Sequence, residues 1–97
     1  MAKPYTVIVT LEAKSGEESA LKRLLTHVIE PSRNESTCLA YRLHQDLSNP
    51  AKFILYESWE SKDAHQKQFQ KPYIIALGEK IGVLLASPYQ AIFAEEV

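Results

Sequence analysis

The sequence predicts an α+β fold in which one antiparallel sheet carries helices on one of its faces. Three observations lead there. Stretches that alternate apolar and polar residues occur near the start, in the middle and at the end of the chain. Longer stretches with apolar residues at helical spacing separate them. Between the middle two alternating stretches, Ser48-Asn49-Pro50-Ala51 is a turn cluster of hairpin length.

The first strand is expected over Tyr5 to Ala13. Tyr5, Val7, Val9 and Leu11 fall on one side, and Thr6, Ile8, Thr10 and Glu12 on the other. Lys14-Ser15-Gly16 breaks the alternation, and Ser15 is the expected cap of a first helix with Glu17 and Glu18 in its first turn. From Glu17 to Ile29, residues Ala20, Leu21, Leu24, Leu25 and Val28 form an apolar stripe. Pro31 is expected to stop this helix near Ile29 and to open a polar loop reaching Thr37.

A second strand is expected over Cys38 to Leu47. Leu39, Tyr41, Leu43 and Leu47 share one face; Cys38, Ala40, Arg42, His44 and Asp46 share the other. After the turn, a third strand runs from Phe53 to Trp59 and pairs antiparallel with the second. Phe53, Leu55, Glu57 and Trp59 lie on one side of it, and Ile54, Tyr56 and Ser58 on the other. Ser61 then caps a second helix, with Asp63 in the first turn and an end near Gln70. Pro72 either kinks that helix or opens another at its first turn. Tyr73, Ile74, Leu77, Ile81, Leu84 and Leu85 keep helical spacing until Ser87-Pro88, and Tyr89 to Ala94 alternates as a last strand.

This order is that of the split βαβ, ferredoxin-like sandwich, here a single domain spanning residues 1–97. The third strand is apolar on both faces, whereas helices cover only one face of such a sheet. A second copy packed sheet against sheet would cover the other, so a two-fold homodimer is expected.

Composition narrows the function classes. A formal net charge of −1 argues against nucleic acid or anionic membrane as a partner. The N-terminal stretch reads as neither a signal peptide nor a membrane span, and the single cysteine, Cys38, admits no internal disulfide. A cytoplasmic protein is expected. The three histidines lie on separate elements without ligand spacing, and there is no Gly-rich phosphate loop, so no metal or cofactor is expected.

The segment CLAYRLHQDLSNPAKFILYESWESKDAHQKQF resembles the antibiotic biosynthesis monooxygenase domain, in particular its quinol-monooxygenase-like branch. The resemblance is carried by Cys38 entering the second strand, Tyr41 in its middle, and Asp46 and Pro50 around the hairpin. Glu57-x-Trp59 at the end of the third strand and His65 in the next helix complete it. It implies a dimeric α+β barrel with a pocket between each sheet and its helices. It also implies oxygenase activity without flavin, haem or metal, and His65 as the pocket histidine. Many relatives have a second histidine shortly after; here those positions hold Phe69, Gln70 and Lys71. The haem-degrading members have an asparagine in their first strand, which this chain lacks.

His65 is thus the candidate base, and its place near the positive end of a helix disfavours imidazolium. Trp59, Phe53, Leu55, Phe69 and Tyr73 are candidate walls for an aromatic substrate, and Tyr41, Arg42 and His44 candidate partners for its oxygens. Glu57, on an apolar face, reads either as a buried acid with a raised pKa or as a carboxylate paired with a cation or backbone N–H groups. Two other functions fit the same residues. One is isomerisation of small phosphorylated carbonyl compounds, with Arg42 or Lys71 on the phosphate. The other is a non-catalytic, ligand-binding or stress-response dimer.

Overall fold

Alternation becomes strand and helical spacing becomes helix along most of the chain. The computed structural model describes residues 3–97. Its elements are β1 (Tyr5–Glu12), α1 (Glu18–Thr26), α2 (Ile29–Arg33), β2 (Cys38–Gln45), β3 (Lys52–Trp59), α3 (Lys62–Gln68), α4 (Pro72–Ile81) and β4 (Gln90–Glu95), with a 3-10 turn at Gly82–Leu84. The strands form one antiparallel sheet in the order β2-β3-β1-β4. This is the ferredoxin-like arrangement. The sheet is open, and β2 and β4 are its edges.

The core lies between the sheet and the helices. Val7 and Leu11 of β1 and Phe53, Leu55 and Trp59 of β3 are buried there against Leu21 and Leu25 of α1, with Val28, Ile81 and Leu85 closing it. The middle strands carry the largest buried side chains because they have neighbours on both edges and helices above. No helix among the described residues covers the opposite face. There Ile8 pairs across to Tyr56 on one side and Ile92 on the other, and Tyr56 and Ile92 are 37% and 58% exposed. All of β4 is exposed. No helix among the described residues is long and apolar enough to cross a membrane.

Three local expectations change, and one open choice is resolved. Pro31 does not end the helical region; it sits in the first turn of α2, where a missing N–H costs no hydrogen bond. Ser15 does not cap α1, which has Glu17 at its N-cap and no side-chain cap bond. Instead Gly16, at φ 88°, donates its N–H to the Glu18 carboxylate at 2.7 Å. A register shift between Cys38 and Ala40 sets Cys38 opposite Trp59. Cys38 therefore packs against the core and Leu39 turns outward, 54% exposed, the reverse of strict alternation. At Pro72 the open choice resolves to a new helix, with proline in the first turn of α4. Ser61 does cap α3, its Oγ accepting the Ala64 N–H at 3.1 Å.

Phe53 has no exposed surface, and its truncation leaves a void in the core between the sheet and the helices. Phe53→Ala should lose about 3–5 kcal/mol of stability in urea denaturation. A loss below about 1 kcal/mol would contradict the packing described.

Candidate functional site

Strand period, helix register and the break at Pro72 together leave a hollow between sheet and helices. The cavity has a volume of about 340 Å³. Val7, Val9 and Leu11 of β1 and Leu55 of β3 form its floor, and Ile74, Leu77 and Ile81 of α4 its roof. Phe69, Ile75, Tyr89 and Phe93, each about half exposed, stand among its lining residues. Against these apolar walls stand the side chains of Tyr41, Glu57, His65 and Gln68. Among the described residues, no lysine or arginine lines it.

The cap at Ser61 starts α3 directly after β3, which lays the helix back over the strand it follows and carries His65 inward. The imidazole is buried, 4% exposed. Its ring centroid lies 5.0 Å from Phe69, 5.7 Å from Tyr5, 5.8 Å from Trp59 and 6.1 Å from Phe93. Period two places Glu57 and Trp59 on the same face of β3, close enough for the indole to reach back. Trp59 Nε1 donates to Glu57 Oε1 at 3.0 Å, and His65 Nε2 lies 3.7 Å from that same oxygen.

Burial controls the charge states. It pushes the Glu57 carboxyl up to about 7, the Trp59 hydrogen bond opposing this in part. It lowers His65 below the usual histidine value, so the imidazole is neutral as expected. The cause is the low-dielectric surroundings rather than helix position, since α3 is seven residues long and His65 sits mid-way along it. Tyr41 is raised well above the ordinary tyrosine value, by burial and then by the Glu57 charge, and its hydroxyl stays protonated.

Behind this wall runs a second polar group of side chains. Gln68 Nε2 donates to Ser32 Oγ at 2.8 Å and to Tyr73 Oη at 3.4 Å. Tyr73 Oη donates to Glu35 Oε2 at 3.0 Å, and Lys71 Nζ lies 3.3 Å from Glu35 Oε1.

The residues singled out from sequence divide accordingly. His65, Glu57, Tyr41, Leu55 and Phe69 line one cavity. Trp59 stands behind Glu57, outside the lining, and Phe53 is core. Tyr73 is turned to Glu35 and Gln68 rather than into the hollow. Arg42 and His44 pair with Tyr56 and Ile54 on the uncovered face of the sheet, away from the cavity. Alternation along β2 puts them on the face opposite Tyr41. Gln68 and Phe93 were not anticipated. Gln68 lies three residues after His65, hence on the same helix face, which is a readable signal. Phe93 reaches the site through its pairing with Val7, which local sequence does not encode. No group of three or more His, Cys, Asp or Glu side chains among the described residues is placed to hold a metal ion.

Comparison with known proteins supplies the remaining context. Residues 4–79 match the model of the antibiotic biosynthesis monooxygenase family. The uncharacterized protein sll1783 of Synechocystis sp. is 32% identical over 85 residues, which span 88% of this chain and 58% of that relative's length. Rv0793 of Mycobacterium tuberculosis, provisionally named a monooxygenase, is 28% identical over 88 residues, 91% of this chain and 86% of its own. The crystal structure of PA3566 from Pseudomonas aeruginosa superposes with a TM-score of 0.95 at 29% identity, covering 100% of this chain and 97% of that one. The Rv0793 structure superposes with a TM-score of 0.92 at 26% identity, covering 97% and 95%.

The buried acid leaves a signature in stability. Native Glu57 keeps its proton up to about pH 7, whereas the ordinary value is 4.5. Over that window the native state binds more protons than the unfolded chain, so this group's contribution to stability falls as pH rises. His65 acts in the opposite sense: the unfolded chain takes up a proton near 6.5 that the native imidazole resists, so its contribution falls as pH drops below 6.5. Glu57→Gln removes the first effect. Its stability relative to wild type should improve between pH 4.5 and 7 by about 3 kcal/mol. Urea titrations at the two ends of the window measure this, and a pH-independent difference would contradict it.

Proposed function

The chain belongs to the antibiotic biosynthesis monooxygenase family, and on that premise we propose that it is a small monooxygenase oxidising quinol-like or polyphenolic aromatics with dioxygen, using no metal or organic cofactor. The observation that carries this reading is a buried, neutral imidazole in the wall of an apolar, aromatic-rimmed cavity of about 340 Å³. A planar ring system fits such walls.

His65 takes the proton from a phenolic hydroxyl. The resulting anion is electron-rich and reduces dioxygen directly. One oxygen atom enters the ring and the other leaves as water, all electrons coming from the substrate. Tyr41, held protonated by burial, is a hydroxyl donor at the same cavity for an oxygen of the substrate. The isomerase reading loses its phosphate anchor. Arg42 lies on the uncovered face, Lys71 pairs with Glu35, and among the described residues no cation lines the cavity.

We also assign the working form to a two-fold homodimer. The uncovered face presents Tyr56, Ile8 and Ile92 in one cross-strand row, and a second copy would cover it. The single cysteine, which can form no internal disulfide, fits a cytoplasmic protein.

Oxygen-electrode assays over a panel of hydroquinones and polyphenols test the chemistry. His65→Ala should lower the rate by about 10²–10⁴-fold with an unchanged circular dichroism spectrum; no uptake with any panel member would overturn the reading. Light scattering should give twice the 11.0 kDa chain mass, and Ile92→Asp should return the single-chain value. A wild-type protein that scatters as one chain would remove the dimer.

A further inference from the structure

Glu57 is 4% exposed on an otherwise apolar face, and no lysine or arginine in the cavity neutralises it. Deprotonating a phenol needs a base; it does not by itself call for a buried carboxylate. The carboxylate is nevertheless held in place. Trp59 Nε1 donates to Oε1 at 3.0 Å, and indole N–H can only donate, so it fixes that oxygen whatever the neighbouring protonation state. His65 Nε2 stands 3.7 Å from the same oxygen. That is longer than a hydrogen bond but short enough, in apolar surroundings, for each group to feel the other's charge.

We propose that Glu57 and His65 act as one acid–base unit, in which Glu57, fixed by Trp59, is a positioning residue that meets the positive charge formed when His65 takes the substrate's proton. This rests on the reading of the cavity as a place where a hydroxyl is deprotonated. In that step the substrate O–H bond breaks and an N–H bond forms on His65. The bonding pair stays on the substrate oxygen, and no electron enters or leaves the protein.

The other side chains facing the pair leave it electrostatically alone. Tyr5 of β1 packs 5.7 Å from the imidazole, ring centre to ring centre. Tyr41 and Cys38 of β2 feel the Glu57 charge, and burial raises both, so they are uncharged at neutral pH. Phe69 and Phe93 contribute only ring edges and faces, and α4 contributes only aliphatic side chains and Gly78 to the cavity. Burial sets the resting charge state of each member, and the charge-bearing atoms of the two lie 3.7 Å apart.

Histidine ring and carboxyl-carbon NMR titrations from about pH 4 to 9 test this without any substrate. In the wild type the His65 ring and the Glu57 carboxyl carbon should share the same two inflections, as strongly interacting sites do. Glu57→Gln keeps an acceptor for Trp59 and loses only the charge. It should collapse the His65 curve to one step, lowered by about one pH unit. Independent single-step curves in the wild type, or a His65 curve unchanged in Glu57→Gln, would overturn the proposal; the wild-type arm decides it if the variant does not fold. Oxygen uptake separates the two claims. Coupled titrations without uptake on any phenol leave the unit standing and remove the oxygenase reading, while uptake with uncoupled titrations does the reverse.

Discussion

The molecule is built around a carboxyl group inside a small apolar core. Water solvates such a group far better than hydrocarbon does, and only specific partners make its burial tolerable. The partner here comes from two residues further along the same strand. Strand period puts Glu57 and Trp59 on one face, and the indole N–H closes on Oε1 at 3.0 Å. The helix that follows, started by the Ser61 cap, lays His65 against the pair. A nine-residue stretch from Glu57 to His65 thus assembles the polar centre, and the rest of the fold keeps water from it.

The enclosure explains the charge states. Burial raises the carboxyl to about 7 and lowers the imidazole. The carboxyl rises from an ordinary value of 4.5 while the imidazole falls from one of 6.5, which disfavours a permanently charged pair. The polar chain behind the wall has another task. Gln68 ties Ser32 of α2 to Tyr73 of α4, and Tyr73 ties on to Glu35. These bonds stitch three helices and a loop together where apolar packing is thin.

Sequence was most informative where structure is local. The strand faces of β1 and β3 and the Ser61 cap follow from period and capping chemistry, whereas His65 as a pocket residue came from the family resemblance. It was least informative where the outcome depended on partners distant in the chain. The shift at Cys38 and Leu39 reverses two side chains because β2 has to fit against Trp59, which no pattern within β2 reveals. Pro31 looked like a stop but falls in a first turn, where proline is harmless. Tyr73 has the spacing of a wall residue yet points to Glu35, because a hydroxyl in that setting seeks an acceptor. Arg42 and His44 share their strand with Tyr41, and parity sends them to the far side.

The interruption before Pro72 has a consequence for how this scaffold can diversify. His65 rides on α3, whereas the aliphatic roof of the hollow rides on α4, and the chain between Gln68 and Pro72 is not helical. A continuous helix would transmit any resizing of Ile74 or Leu77 along its axis to the imidazole. A jointed one absorbs it in the connection. The lining of the hollow can therefore vary in one segment while the buried imidazole stays put in the other.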